Sequence, residues 1–255
     1  MSNNIKYLEQ KSSEYRKTTL EIIFNSGAGH TGGSLSCLDI LNVLYNNILD
    51  ITPKNFNSKD RNQYIHSKGH SVEALYTVLC DQGFFAKSDL DTLNNFNSHF
   101  IGHPTRKING IEHNTGALGH GLSVAVGMAL SKKMNGSDKN VYTLLGDGEL
   151  SEGSVWEACT SASKYNLDNL IVIIDRNKLQ ITGRTEEVNP IEPLDKKFES
   201  FGFEVNSING NDVGEILQAL ESIPFTLNKP NVIIANTKKG FGISWKVRWN
   251  CRPNF

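Results

Sequence analysis

The chain has 255 residues, with 26 Lys or Arg against 27 Asp or Glu, a formal net charge of -1. That balance gives no global reason to bind nucleic acid or an anionic membrane, and the length suffices to bury a core without disulfide staples. Hydrophobic content of 38% and charged content of 21% fit a globular chain and exclude disorder throughout.

The opening stretch, MSNNIKYLEQKSSEY, is too polar for a secretory signal. No apolar run reaches the roughly 18 residues of a membrane span. Cys37, Cys80, Cys159 and Cys251 are scattered and form no CxxC pair, which fits a reducing cytoplasm. Residues 12–26 read as a first helix, followed by the glycine-rich loop His30-Thr31-Gly32-Gly33-Ser34. Ser34 or Ser36 is a candidate cap for the next helix, in which Leu38, Leu41, Leu44 and Tyr45 recur at helical spacing. Gln63 to His66 reads as a short strand, and Ser71 to Cys80 as a helix. Residues 94–118 lack periodicity and read as a long irregular segment of the kind that often carries function.

Beyond it the pattern alternates. Helices are expected over 118–134, 153–165, 194–201 and 212–222. Apolar strands are expected over 141–145, 170–174, 203–205 and 231–235. Strands apolar on both faces, alternating with helices, predict an α/β fold: one doubly wound, mostly parallel sheet with helices on both faces.

Ligands of such sheets bind beyond the carboxyl ends of the strands. Two polar clusters fall there, Gly146-Asp147-Gly148-Glu149 and Asp175-Arg176-Asn177-Lys178. Asp147 and Asn177 are 30 positions apart, the length of one strand–helix–strand crossover. Both are hard oxygen donors suited to Mg²⁺ or Ca²⁺, and two are too few for an all-protein cage. Flanking glycines admit a bulky phosphate to the backbone, so the pair points to Mg²⁺ bridging a diphosphate. Taken alone, Gly-Asp-Gly also reads as an ordinary turn, and Asp147 as a helix cap.

The run Gly146-Asp147-Gly148, Glu152-Gly153 and Asn177 resembles the thiamine diphosphate motif of the transketolase family. Further resemblances follow in the family's order. Gly29-His30-Thr31-Gly32-Gly33, Ser67-Lys68-Gly69-His70 with Leu75-Tyr76, and Gly102-His103-Pro104 are similar to its three histidine loops. Thr115-Gly116-Ala117-Leu118-Gly119-His120-Gly121 resembles its Thr-Gly-Pro-Leu-Gly-Gln-Gly stretch, and Lys239-Gly240-Phe241-Gly242 its last loop.

The resemblance implies that residues 1–255 form a single diphosphate-binding domain of the type that holds thiamine diphosphate. Asp147, Asn177 and the carbonyl of Leu179 would hold Mg²⁺, with Ca²⁺ or Mn²⁺ as substitutes. Gly146, Gly148, Glu149, Asn177 and His70 would meet the diphosphate, and Gly116, Ala117 and Leu118 the aminopyrimidine. His30 and His103 would face the sugar's reacting oxygens. Glu152 would reach a catalytic glutamate on a C-terminal partner subunit that carries the pyrimidine-binding domain, in a heterotetramer of two of each. The implied activity is transfer of a two-carbon ketol unit from a ketose or ketose phosphate to an aldose, in the cytoplasm, with neither nucleic acid nor membrane as a partner. His66, His99 and His113 read as solvated surface residues without a role. The departures are Ala117 for Pro, His120 for Gln, and Trp249-Asn250 for Trp-His; the last suggests a specialised sugar pathway. Lys238, Lys239, Lys246, Arg248 and Arg252 form a basic cluster that would meet a phosphorylated sugar or sit in a solvated tail. A 2-oxo acid dehydrogenase α subunit, or a non-catalytic scaffold that keeps the fold, are the alternative readings.

Overall fold

The computed structural model describes residues 2–244. Lys246, Arg248, Trp249-Asn250, Cys251 and Arg252 lie outside the described residues.

Five strands form one sheet: β1 (Gln63–His66), β2 (Val141–Gly146), β3 (Leu170–Arg176), β6 (Glu204–Asn209) and β7 (Asn231–Asn236). Their order is β1-β2-β3-β7-β6, and every pairing is parallel. A two-stranded hairpin, β4 (Leu179–Gln180) with β5 (Gly183–Arg184), follows β3 and was not foreseen.

The two faces of the sheet are read off alternate residues. Ile171 and Ile173 of β3 join Tyr142, Leu144 and Ile233 in one core, under α1 (Ser2–Ser26), α2 (Thr31–Val43), α3 (Val72–Asp81) and α8 (Val213–Glu221). Leu170, Val172 and Ile174 join Val141, Leu145 and Val232 in a second core, under α4 (Gly121–Met134), α5 (Gly153–Lys164) and α7 (Leu194–Ser200). The four-residue α6 (Thr185–Val188) links the hairpin to α7. Burial on both faces explains why β2 and β3 are apolar without alternation, as the sequence led one to expect.

Three local expectations are corrected. Helix α1 starts at residue 2, ten residues before the expected position 12. Its buried stripe runs Leu8, Ser12, Tyr15, Thr19, Ile22, spaced by four and three, and two polar members hide it from a hydrophobicity reading. Helix α2 starts at Thr31 with His30 at its N-cap position, so Ser34 and Ser36 lie inside the helix and cap nothing. Strand β3 runs to Arg176, which places Asp175 and Arg176 in the sheet and leaves Asn177 as the first residue beyond it.

Candidate functional site

The carboxyl ends of β1, β2, β3 and β7 share one edge of the sheet: His66 lies beside Leu144, Gly146 beside Asp175, and Arg176 beside Asn236. The chain leaves β1 toward α3 on the first face and leaves β2 toward α5 on the second. Loops that diverge in this way open a crevice at the switch of direction, where α/β sheets bind ligands.

Asp147 and the Asn177 loop meet in that crevice. The amide of Lys178 donates to Asp147 Oδ2 at 2.5 Å, and Arg176 Nη1 donates to the same oxygen at 3.0 Å. Asp147 Oδ1 receives one described donor, the Gly148 amide at 2.9 Å, so it keeps an acceptor site open. Asn177 turns its Nδ2 toward Asp175, at 3.3 Å from Oδ2, and its Oδ1 takes the Leu179 amide at 3.1 Å. These hard oxygens fit Mg²⁺. Among the described residues no group of three or more His, Cys, Asp or Glu is placed to hold a metal. A cation here would therefore complete its octahedron with diphosphate oxygens and water. The cap reading of Asp147 also holds, since it caps a 3₁₀ turn over Gly148–Ser151. Burial, and then the nearby Asp175 charge, push its carboxyl above the usual carboxylate range, against the donors from Lys178 and Arg176.

Beneath this pair lie charges with no exposure. Lys68 Nζ forms an ion pair with Asp175 Oδ2, both side chains 0% exposed. Lys68 also donates to the Gly33 carbonyl at 3.1 Å. Asp175 accepts further from Ser36 Oγ at 2.5 Å and from Thr237 Oγ1. Burial alone would raise the Asp175 pKa, but the charge and hydrogen bond of Lys68 more than offset it and hold the carboxyl low. Arg176, also buried, spans Asp147, Thr185, Glu186 and Glu192.

Three histidines rim the crevice. The His30 ring lies 5.4 Å from His70 and 6.3 Å from His103, centroid to centroid, and both contacts are edge-on. Burial, followed by the charge of Lys68, pushes His70 down to about 3. Burial, then Lys239 and Lys68, lower His30; burial and then His30 lower His103. All three imidazoles are thus neutral near pH 7, able to donate from one ring nitrogen and accept at the other. Glu73, buried in α3, accepts the His30 amide at 3.2 Å and Ser34 Oγ at 2.7 Å, and so anchors the first histidine loop.

The 115–121 loop closes the crevice opposite. Gly116 has a φ of +138°, and a Cβ there would lie 2.6 Å from the His103 ring. A Cβ on Gly69 would lie 2.8 Å from the Gly116 amide nitrogen, backbone against backbone. Leu118 is half-buried and Ala117 exposed at this rim. Glu149 is buried, with its carboxylate on Ser67 Oγ, the Gly119 amide at 2.8 Å and the Gly146 amide at 3.1 Å. Those bonds make it a strut between loops. Glu152 is exposed at the N-cap position of α5.

The structure therefore gathers His30, His70, His103, Gly116, Leu118, Asp147, Gly148 and Asn177 around one crevice. His99 is exposed, whereas His66 departs from the surface reading given to it. His66 is 4% exposed, bonded to Tyr64 Oη at 2.8 Å and Ser71 Oγ at 2.9 Å. Sequence reasoning missed the roles of Lys68, Glu73, Ser36, Asp175 and Arg176. The one available signal was the charged Asp175-Arg176 pair continuing an apolar strand, a place where charge must be paired.

No helix among the described residues is long and apolar enough to cross a membrane. Residues 9–249 match the family model described as "Transketolase, thiamine diphosphate binding domain". The chain is 46% identical over 241 residues to one subunit of the apulose-4-phosphate transketolase of Phocaeicola vulgatus, covering 94% of this chain and 86% of that one. It is 43% identical over 239 residues to 6-deoxy-6-sulfo-D-fructose transketolase subunit SqwG of a Clostridium species, covering 93% and 87%. Transketolase from Campylobacter jejuni superposes with a TM-score of 0.90 at 35% identity, over 94% of this chain and 39% of that longer one. The chain thus spans about two fifths of the length of that solved relative.

Proposed function

The chain belongs to the transketolase family, and from that premise we propose that it is the diphosphate-binding subunit of a two-chain transketolase that works on a specialised sugar. The convergence of Asp147 and Asn177 beside three neutral histidines carries this reading. Thiamine diphosphate, when bound, supplies the nucleophilic carbon and electron sink that let the bond beside a ketose carbonyl break and re-form.

Asp147 Oδ1, Asn177 Oδ1 and the Leu179 carbonyl would hold Mg²⁺ on the diphosphate. Gly148 would lie against the phosphates, and His70, neutral and half-buried, would donate a ring N–H to a phosphate oxygen. The backbone of Gly116, Ala117 and Leu118 would hold the aminopyrimidine edge. His30 and His103, at the open rim, would accept protons from sugar hydroxyls and return them to developing alkoxides. Being neutral, they serve both directions of transfer without first losing a proton.

Activation of the aminopyrimidine, and part of the sugar pocket, would come from a C-terminal subunit facing Glu152. Two copies of each chain would assemble in the cytoplasm. Residues 1–255 would then act as one diphosphate-binding domain. The relatives named for apulose 4-phosphate and for a sulfonated fructose support a sugar outside the common pentose phosphates. Asn250, which by the resemblance stands where many split members of the family have a histidine, supports the same. The basic Lys238 and Lys239 suit an anionic sugar.

The test is co-expression with the C-terminal subunit, followed by mass spectrometry of ketol transfer from a panel of ketose phosphates and sulfonates. Transfer by the pair and by neither chain alone, dependent on thiamine diphosphate and Mg²⁺, is the expected result. A pair inactive on every donor, together with a chain whose melting temperature ignores the cofactor, would overturn it.

A further inference from the structure

Buried ion pairs seldom add net stability, since desolvating two charges cancels most of their attraction, and apolar replacements are often as good. Lys68 and Asp175 nevertheless sit at 0% exposure in the middle of the sheet edge. Asp175 collects donors from four separate elements: Lys68 beyond β1, Ser36 in α2, Thr237 beyond β7, and Asn177 just past its own strand. Lys68 adds a fifth tie, to the Gly33 carbonyl behind the His30 loop.

The orientation of Asn177 follows from this charge. Both described bonds of its Nδ2 go to Asp175, at 3.3 Å to Oδ2 and 3.5 Å to the carbonyl. The reverse orientation would set the amide oxygen against a carboxylate, acceptor on acceptor. A fixed negative charge at Asp175 therefore keeps Asn177 Oδ1 turned away from it.

We propose that the Lys68–Asp175 pair is a positioning device, which orients Asn177 as a metal ligand and locks the His30 and Thr237 loops to the same point. The proposal rests on the thiamine diphosphate reading above. Both side chains are 0% exposed, so neither would touch the cofactor; both act through Asn177 and the loop backbones. Partners of this kind, behind a metal ligand, change metal affinity by about 10–100-fold when removed.

The experiment is calorimetric titration of the chain, co-purified with its C-terminal subunit, with thiamine diphosphate at a fixed Mg²⁺ concentration below saturation, alongside circular dichroism and thermal melting. Lys68→Met/Asp175→Asn removes both charges together, so neither is left buried alone. The expected result is a folded protein whose cofactor Kd rises at least about tenfold. A folded double variant with the wild-type Kd overturns the proposal. Ile173→Ala loosens the same strand without touching the pair, and its Kd should stay at the wild-type value. If it weakens the cofactor as much as the double variant, the pair is merely structural and the proposal fails. If the double variant does not fold, Thr237→Val decides, since it removes one Asp175 donor and keeps both charges. A Kd raised severalfold supports positioning, and an unchanged Kd refutes it. A wild-type pair that binds no cofactor overturns the proposed function itself, and that outcome is distinct from binding that the variants leave intact.

Discussion

The floor and the rim of the crevice are built on opposite terms. On the floor, Lys68, Asp175, Arg176, Asp147 and Glu149 are all buried, and every one is held by neighbours within the chain. At the rim, His30 and Ala117 are exposed, and His103 and Leu118 are half-exposed. Charges that must not move are placed where water cannot screen or relax them. Under the proposed function, groups that would meet a changing substrate are left open to receive it, and in the proposed assembly a second chain would cover them.

The most severe break of this contrast is Asp147→Ala. It removes one expected metal ligand and one anchor of the buried Arg176, which still keeps Glu186 and Glu192. Ketol transfer by the two-chain enzyme should fall by roughly 100-fold or more, since even the partners behind a metal ligand cost about 10–100-fold when removed. The stabilisation of the chain by cofactor and Mg²⁺ should vanish from the thermal melt. Transfer near the wild-type rate would refute the floor as the cation site.

His103→Gln tests the rim. Loss of a proton-transfer group costs about 10²–10⁴-fold in general. The expected fall in kcat/KM is about 10²-fold, with cofactor affinity unchanged in a direct titration. Should both quantities fall together, the rim and floor are one unit and the contrast is lost.

Gly69→Ala strikes the seam between the two. The new Cβ would lie 2.8 Å from the Gly116 amide nitrogen and 2.9 Å from the Thr115 carbonyl carbon, neither of which can swing aside as a side chain would. The 115–121 loop must shift, at a cost of about 1–3 kcal/mol in stability. Cofactor binding should weaken while the floor stays intact, seen as an unchanged Mg²⁺ dependence of whatever binding is left.

How much of this was legible beforehand follows the same division. The floor's main axis could be read, because strands β2 and β3 are continuous apolar runs and the 30-residue interval matches one crossover. The register then sets Gly146 beside Asp175. The histidine loops could be read by resemblance, since each sits in a short ordered motif. What could not be read is the pairing across distance. Lys68 meets Asp175 over 107 positions, and Ser36 meets it over 139. Such contacts depend on the strand order β1-β2-β3-β7, which no local pattern encodes. Ser34 and Ser36 look like caps because serine near a helix start usually is one. Here tertiary bonds to Glu73 and Asp175 claim both hydroxyls.

The smallest effect separates His66 from the rim histidines it resembles in sequence. His66 is buried behind the floor between Tyr64 and Ser71. Burial, then the Lys68 charge, lower it to about 3. An unfolded histidine titrates near 6.5. Between pH 6.5 and about 3 the unfolded chain therefore takes up a proton that the native chain refuses, and stability falls as the solution is acidified. Above pH 6.5 neither state is protonated there, and the effect is absent. His66→Gln removes this loss, so the stability of wild type relative to the variant should fall by up to about 1.4 kcal/mol per pH unit below that point. Urea unfolding of both proteins at pH 7.5, 6 and 5 measures the difference directly. A constant difference across the series would mean that His66 titrates in the native chain as it does in the unfolded one, and that the buried ground behind the floor is less closed to water than Lys68 and Asp175 require.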